Sequence, residues 1–155
     1  MSEAANGEQR RGYRGYATHH RFGGLRIPVP VQNIVLRNYA NQHHLMFVLS
    51  ADEFDFPGCY LQLNSLVKQL ESLEGLLMCS ARMLPQDPKE RSAIYSGFLA
   101  HGATLHLVLD NIVASDPQDF ERIEELLVLS ETLESCPTSI PEALLAQLAG
   151  IEAYG

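Results

Sequence analysis

The sequence predicts an α/β fold: a doubly wound, mostly parallel four-stranded sheet of order 2-1-3-4 with helices on both faces. Three observations carry this reading. From Gly12 onward, apolar runs of strand length alternate with segments of helical period, as in repeated β-α units around a parallel sheet. Leu45–Leu49 is an unbroken apolar run, as expected of a strand with both faces covered by helices. The 155 residues suit one core rather than two.

The polar stretch 1–11 reads as a flexible leader, residues 12–135 as the single α/β domain, and 136–155 as a C-terminal helical extension. The first strand is Gly12–Ala17. A glycine-containing loop, Thr18–Val29, leads to a helix beginning at Pro30, where proline suits the first turn, with Ile34, Val35, Leu36 and Tyr39 on its apolar face. After the second strand, Leu45–Leu49, the loop Ser50–Gly58 precedes a helix with Leu63, Leu66, Val67, Leu70 and Leu73 at helical spacing. Gly75 marks its end, and Leu76–Cys79 is the third strand. Asp87 caps a helix running through Ala100, which Gly102 stops. Thr104–Leu109 is the fourth strand. Ser115-Asp116-Pro117 then opens a last helix, and Ile140–Ala149 has the pattern of a short amphipathic one that docks on the body or on a second subunit. Right-handed crossovers give the stated strand order and place the ligand-binding loops at the carboxyl ends of the strands, where the winding reverses between strands one and three.

Charge divides the chain unequally. The total is −8, yet residues 1–44 hold six arginines against two glutamates and four of the six histidines, whereas 45–155 carry a net −12. A positive segment on an acidic protein points to one local anion site, and the acidic total argues against general nucleic-acid binding. Three cysteines, Cys59, Cys79 and Cys136, without a C-x-x-C pair fit neither a disulfide framework nor a structural zinc site. No signal peptide and no run near the roughly 18 apolar residues of a membrane span are visible, so a cytoplasmic location away from membranes is expected.

The loops predicted at the carboxyl edge hold the chemistry. After strand one come Thr18, His19, His20, Arg21, Gly23, Gly24 and Arg26, just before a helix N-terminus whose free N–H groups suit a phosphate or carboxylate. This stretch is neither a G-x-x-x-x-G-K loop nor a G-x-G-x-x-G fingerprint. After strand two come Ser50, Asp52 and Glu53; after strand three, Ser80 and Arg82; after strand four, Asp110. Glu53, Asp52 and His20 are the candidate proton-moving groups. Arg14, Thr18, His19, Arg21, Arg26, Gln32, Asn33, Ser50, Ser80, Arg82 and Asp110 are the candidate substrate-binding groups. No metal and no cofactor is expected. His106, inside strand four, reads as a satisfied core or face residue, and His43 and His44 as surface residues at a helix end.

With GYRGY at 12–16, RIPVPVQNIVLRNYA at 26–40, LSADEF at 49–54, PGCY at 57–60 and MLP at 83–85, the chain resembles the small sporadic carbohydrate cluster protein family over about residues 12–134. The resemblance implies a role in specialised carbohydrate biosynthesis, with Arg14, Arg26, Gln32, Asn33, Arg37, Ser50 and Glu53 at the family's recurring polar positions. More distantly, the β-α order and Gln32 look like the catalytic domain of serine recombinases. In that family a Tyr-x-Arg-x-Ser segment carries the nucleophile; here Tyr13 to Ala17 offers glycine at the arginine position and alanine at the serine position. Taken together, these readings lead to the expectation of a small isomerase, epimerase or lyase acting on a phosphorylated or nucleotide-linked sugar as part of natural-product biosynthesis. The alternative is a non-catalytic subunit or sugar-binding partner of a neighbouring pathway enzyme. The expected partners are an anionic sugar, a second copy of the chain and a pathway enzyme, with no nucleic acid and no membrane.

Overall fold

The computed structural model describes residues 11–135 and, beyond them, only positions 142, 146 and 147. The expected leader and the C-terminal extension, with Ile140–Ala149, therefore fall almost wholly outside the described residues.

One five-stranded sheet has the order β2-β1-β3-β4-β5, formed by β1 (Tyr13–Ala17), β2 (Phe47–Asp52), β3 (Gly75–Met78), β4 (Thr104–Leu107) and β5 (Ile112–Ala114). The first four strands are parallel and follow the predicted order. The fifth, which the sequence reading misses, returns antiparallel on β4, with Leu105 opposite Ala114. It is three residues long and follows a tight turn at Asn111, whose φ of 54° is a left-handed conformation that asparagine tolerates.

Two other expectations shift. Phe47–Asp52 starts and ends later than the apolar run suggests, because β2 forms the sheet edge and is not covered on both faces: Val48 and Leu49 are 54% and 56% exposed. Gly75 opens β3 and does not close a helix. A Cβ there would collide with the Thr104 carbonyl oxygen, so glycine is what lets β3 and β4 approach.

Helix α1 (Val29–Gln42) covers the sheet face that carries Gly15, where a Cβ would lie 3.0 Å from Leu36. On the other face α2 (Leu61–Lys68) packs against α3 (Pro88–His101), and α4 (Pro117–Ser135) lies beside α3 with Tyr95 and Phe120 stacked at 4.7 Å. The core between these layers includes Leu63, Leu66, Leu76, Leu77, Phe98 and Leu105, all fully buried. Each such side chain contributes about 1.5–3 kcal/mol relative to exposure. The Asp87 and Asp116 caps form as the sequence indicates, and Asp119 adds a contact. Asp87 accepts from the Lys89 N–H at 2.9 Å, Asp116 from Asp119 N–H at 2.9 Å, and Asp119 from Ser115 N–H at 3.0 Å.

Helix α4 is fastened to α3 by a bidentate pair, Arg91 Nε to Glu124 Oε1 and Nη2 to Oε2, both at 2.7 Å, while Arg91 Nη1 donates to the Pro85 and Gln86 carbonyls. These hydrogen bonds hold the Glu124 carboxyl below the usual carboxylate range. No helix among the described residues is long and apolar enough to cross a membrane.

Candidate functional site

The carboxyl ends of β1 to β4 do gather the loops that the sequence places there, but many of their polar side chains serve the fold. Glu53 is 2% exposed and caps α2. Its oxygens accept from the Tyr16 hydroxyl at 3.0 Å and from the N–H groups of Phe54, Gln62 and Leu63 at 3.1–3.2 Å. The Cys59 thiol is a further donor at 3.5 Å. A carboxylate placed among the unpaired N–H groups of a helix start is held by the helix, and this geometry is that of a cap rather than of a mobile base. Burial, then the nearby Glu53 charge, push the Tyr16 phenol far above its ordinary value.

Gln32 is likewise fully buried. Its Nε2 donates to the Thr18 and Ile27 carbonyls at 2.7 Å, and its Oε1 accepts from the Thr18 N–H at 3.1 Å, so it clamps both ends of the loop after β1. Thr18 is buried and accepts from the His20 N–H at 3.1 Å. Ser80 donates to the Asp110 carboxylate at 3.2 Å and accepts from the Arg82 N–H at 3.3 Å. Asp110 also takes the Ala81 N–H at 2.7 Å, and the pair thereby ties the loop after β3 to the end of β4.

Arg14 lies elsewhere. As the second residue of β1 it points to the α2 side of the sheet and donates to the Leu49 carbonyl at 3.3 Å and to Gln69 Oε1 at 2.8 Å. Ser50 sits inside β2, away from the loop, and Asp52 ends that strand exposed. Asn33 is half-buried on α1, its Oδ1 buried and without a hydrogen-bond partner among the described residues.

The cationic groups remain. Arg21, Arg26 and His19 are exposed, and Arg82 is half-buried. Arg21 and Arg82 line a groove of about 270 Å³ together with the Gly23-Gly24 turn and with Ser130, Glu131 and Glu134 of α4. Gly23 is required twice over. Its φ of 59° is left-handed, and a Cβ there would overlap the Arg82 guanidinium, which lies against the backbone. Arg82 Nη1 meets Glu134 Oε1 at 3.3 Å with the glutamate 60% exposed, a loose pair beside the bidentate Arg91–Glu124 contact. A second cavity of about 370 Å³ adjoins the groove and shares Arg21 and Gln86 with it. A third, of about 310 Å³, lies at the start of α1 beside His19 and Arg26. The sequence reading contains Arg21, Arg82 and the glycine pair. It lacks Gln86, in the loop before α3, and Arg91 and Glu134, which α3 and α4 bring to the groove. The one local signal for this turn is the Gly-Gly dipeptide.

We found no protein family and no curated protein that matches the chain. Among solved structures it is similar to the N-terminal catalytic domain of TP901-1 integrase, at 13% identity and a TM-score of 0.56, over 78% of this chain and 96% of that one. It is also similar to a resolvase family site-specific recombinase from Streptococcus pneumoniae, at 11% identity and a TM-score of 0.56, over 92% of this chain and 98% of that one. These likenesses correct three expectations. The carbohydrate cluster family finds no support in any family match, and the sugar-modifying enzyme of natural-product biosynthesis gives way because the structures sharing the fold are recombinases. With it go the sugar ligand and its pathway-enzyme partner. The exclusion of nucleic acid falls too: the structures sharing the fold are site-specific recombinases, and a total of −8 averages over a loop after β1 that carries Arg21 and Arg26. The distant likeness is the one that holds, and this chain has the α/β fold of site-specific recombinase catalytic domains.

Proposed function

We propose that the chain is a nucleic-acid-binding protein of the recombinase fold that holds phosphodiester oxygens in the groove lined by Arg21 and Arg82 without forming a covalent link to them. The observation that carries this reading is that Arg21 and Arg82 line one groove together with the Gly23-Gly24 turn, with Arg82 lying against Gly23. Two guanidinium groups facing one groove suit a phosphate, which accepts bidentate hydrogen bonds, and exposed main chain at a double glycine lets the ligand approach closely. Ala17 ends β1 where the resembled family carries its serine, so the chain has no hydroxyl at that position to attack phosphorus. Binding without transfer follows from those two features.

The test is fluorescence anisotropy of labelled oligodeoxynucleotides titrated with the protein across a salt series. Binding should weaken steeply with salt. Arg21→Ala and Arg82→Ala should each cost about tenfold in affinity and reduce the log–log salt slope by about 0.7–0.9. Absence of binding at about 50 mM salt overturns the proposal, because electrostatic contacts are strongest there. Denaturing electrophoresis after incubation should show no protein–DNA adduct; an adduct would overturn the non-covalent part.

A further inference from the structure

The second cavity has a composition that phosphate binding does not explain. It forms where the loop after β1, the approach to α2 and the start of α3 meet, and His20, Arg21, Tyr60, Gln86, Asp87 and Glu90 line it. Arg21 and Gln86 belong to both this cavity and the groove, so a phosphate held at Arg21 has its neighbouring nucleoside at the cavity mouth. We infer that this cavity is a pocket for a single unstacked nucleobase, preferring bases with an exocyclic amino group, and that the nucleic acid bound is therefore single-stranded at that nucleotide. The inference rests on the nucleic-acid reading above and names its substrate class.

The lining fits that ligand in kind. A base edge presents donors and acceptors side by side, and the wall offers both: the Gln86 amide and Arg21 guanidinium as donors, the Asp87 and Glu90 carboxylates as acceptors. Asp87 commits Oδ1 to the Lys89 N–H, and Glu90 stands exposed in the first turn of α3. His20 lines the cavity, and its Nε2 is buried beside it with no hydrogen-bond partner among the described residues. Tyr60 is half-buried and gives a flat ring on which a base can stack. Burial, with the Glu90 and Glu53 charges, raises its phenol, which keeps the hydroxyl a donor. Carboxylates accept from the amino groups of adenine, cytosine and guanine; thymine presents a carbonyl oxygen at the corresponding place and is repelled. A base inside a duplex stack cannot reach a walled cavity without leaving the stack.

The experiment compares labelled oligo-dA, oligo-dC, oligo-dT and a duplex of equal length by anisotropy. Oligo-dA and oligo-dC should bind about tenfold more tightly than oligo-dT, and single strands more tightly than duplex. Glu90→Gln changes an exposed side chain and should reduce the dA-over-dT preference to about twofold with the salt slope intact. Tyr60→Leu should weaken all single strands about tenfold through lost stacking. Equal binding of dT and dA, an undiminished preference in Glu90→Gln, or tighter binding of duplex overturns the base pocket while the salt-dependent reading of the groove stands. Loss of all binding by the unaltered protein overturns both.

Discussion

The two ends of the sheet hold histidines in opposite circumstances. Toward the amino end, His106 is buried under α1 with both ring nitrogens engaged, Nδ1 with the Tyr39 hydroxyl at 2.8 Å and Nε2 with Thr104 Oγ1 at 3.1 Å, and the Tyr13 ring edge-on to it at 5.2 Å. At the carboxyl end, His20 has a buried Nε2 with no partner among the described residues, His19 is exposed, and arginines line open cavities around them. The same residue type is satisfied where hydroxyls from β4 and α1 close around it and unpartnered where the loops place it beside a cavity. What separates the two is satisfaction, not identity: a polar group answered by its neighbours contributes to folding, and one left unanswered is open to a ligand.

That contrast breaks most sharply at His106. His106→Ala empties a buried site and leaves two hydroxyls without their partner, so unfolding in urea should show a loss of about 2–4 kcal/mol with an unchanged m value, and oligonucleotide affinity unaltered. A change in affinity would mean that the amino end belongs to the site. The same histidine makes stability depend on pH. Burial, and secondarily His43, lower its pKa from 6.5 to about 4, so it stays neutral in the folded chain while the unfolded chain takes up a proton. Stability is therefore greatest above 6.5 and declines as pH falls from 6.5 to about 4, by at most about 1.4 kcal/mol per pH unit from this group. Urea midpoints across that window should show the slope, and His106→Ala should lose it. At the carboxyl end, Gly23→Ala forces a left-handed backbone and displaces Arg82, for an expected cost of about 1–2 kcal/mol together with about tenfold weaker DNA binding. Smallest in stability is Arg82→Ala. Losing its exposed pair with Glu134 should change the unfolding free energy by less than about 0.5 kcal/mol, although binding still falls about tenfold.

The alternation of strand-length and helical segments made the parallel four-strand order legible, because each apolar run and each cap is a local signal. Asp87 and Asp116 cap as their spacing indicates. The exposure of β2 was less accessible than its place in the strand order, since an apolar run has the same composition whether or not a helix covers it; Val48 and Leu49 are the residues that misled. In the candidate site, location was legible and role was not. The β-α order alone brings Ser80 and Asp110 to one edge. Their pairing with each other joins residues thirty positions apart and depends on the register of β3 against β4. Glu53 and Gln32 have the chemistry of substrate ligands, but whether a carboxylate or an amide faces a cavity or a helix start is decided by loop paths that no short motif encodes.

The sheet is also unequal at its flanks. The β5 flank is a three-residue antiparallel strand, too short to template another, whereas the β2 flank is six residues long and carries exposed Met46, Val48 and Leu49 beside it. A sheet with one open and one blunted flank cannot extend by head-to-tail addition, which needs both. Joining two such sheets through β2 would consume the open flank of each and stop at two, so an edge left unpaired among the described residues gives a pair and not a fibre along the hydrogen-bonding direction.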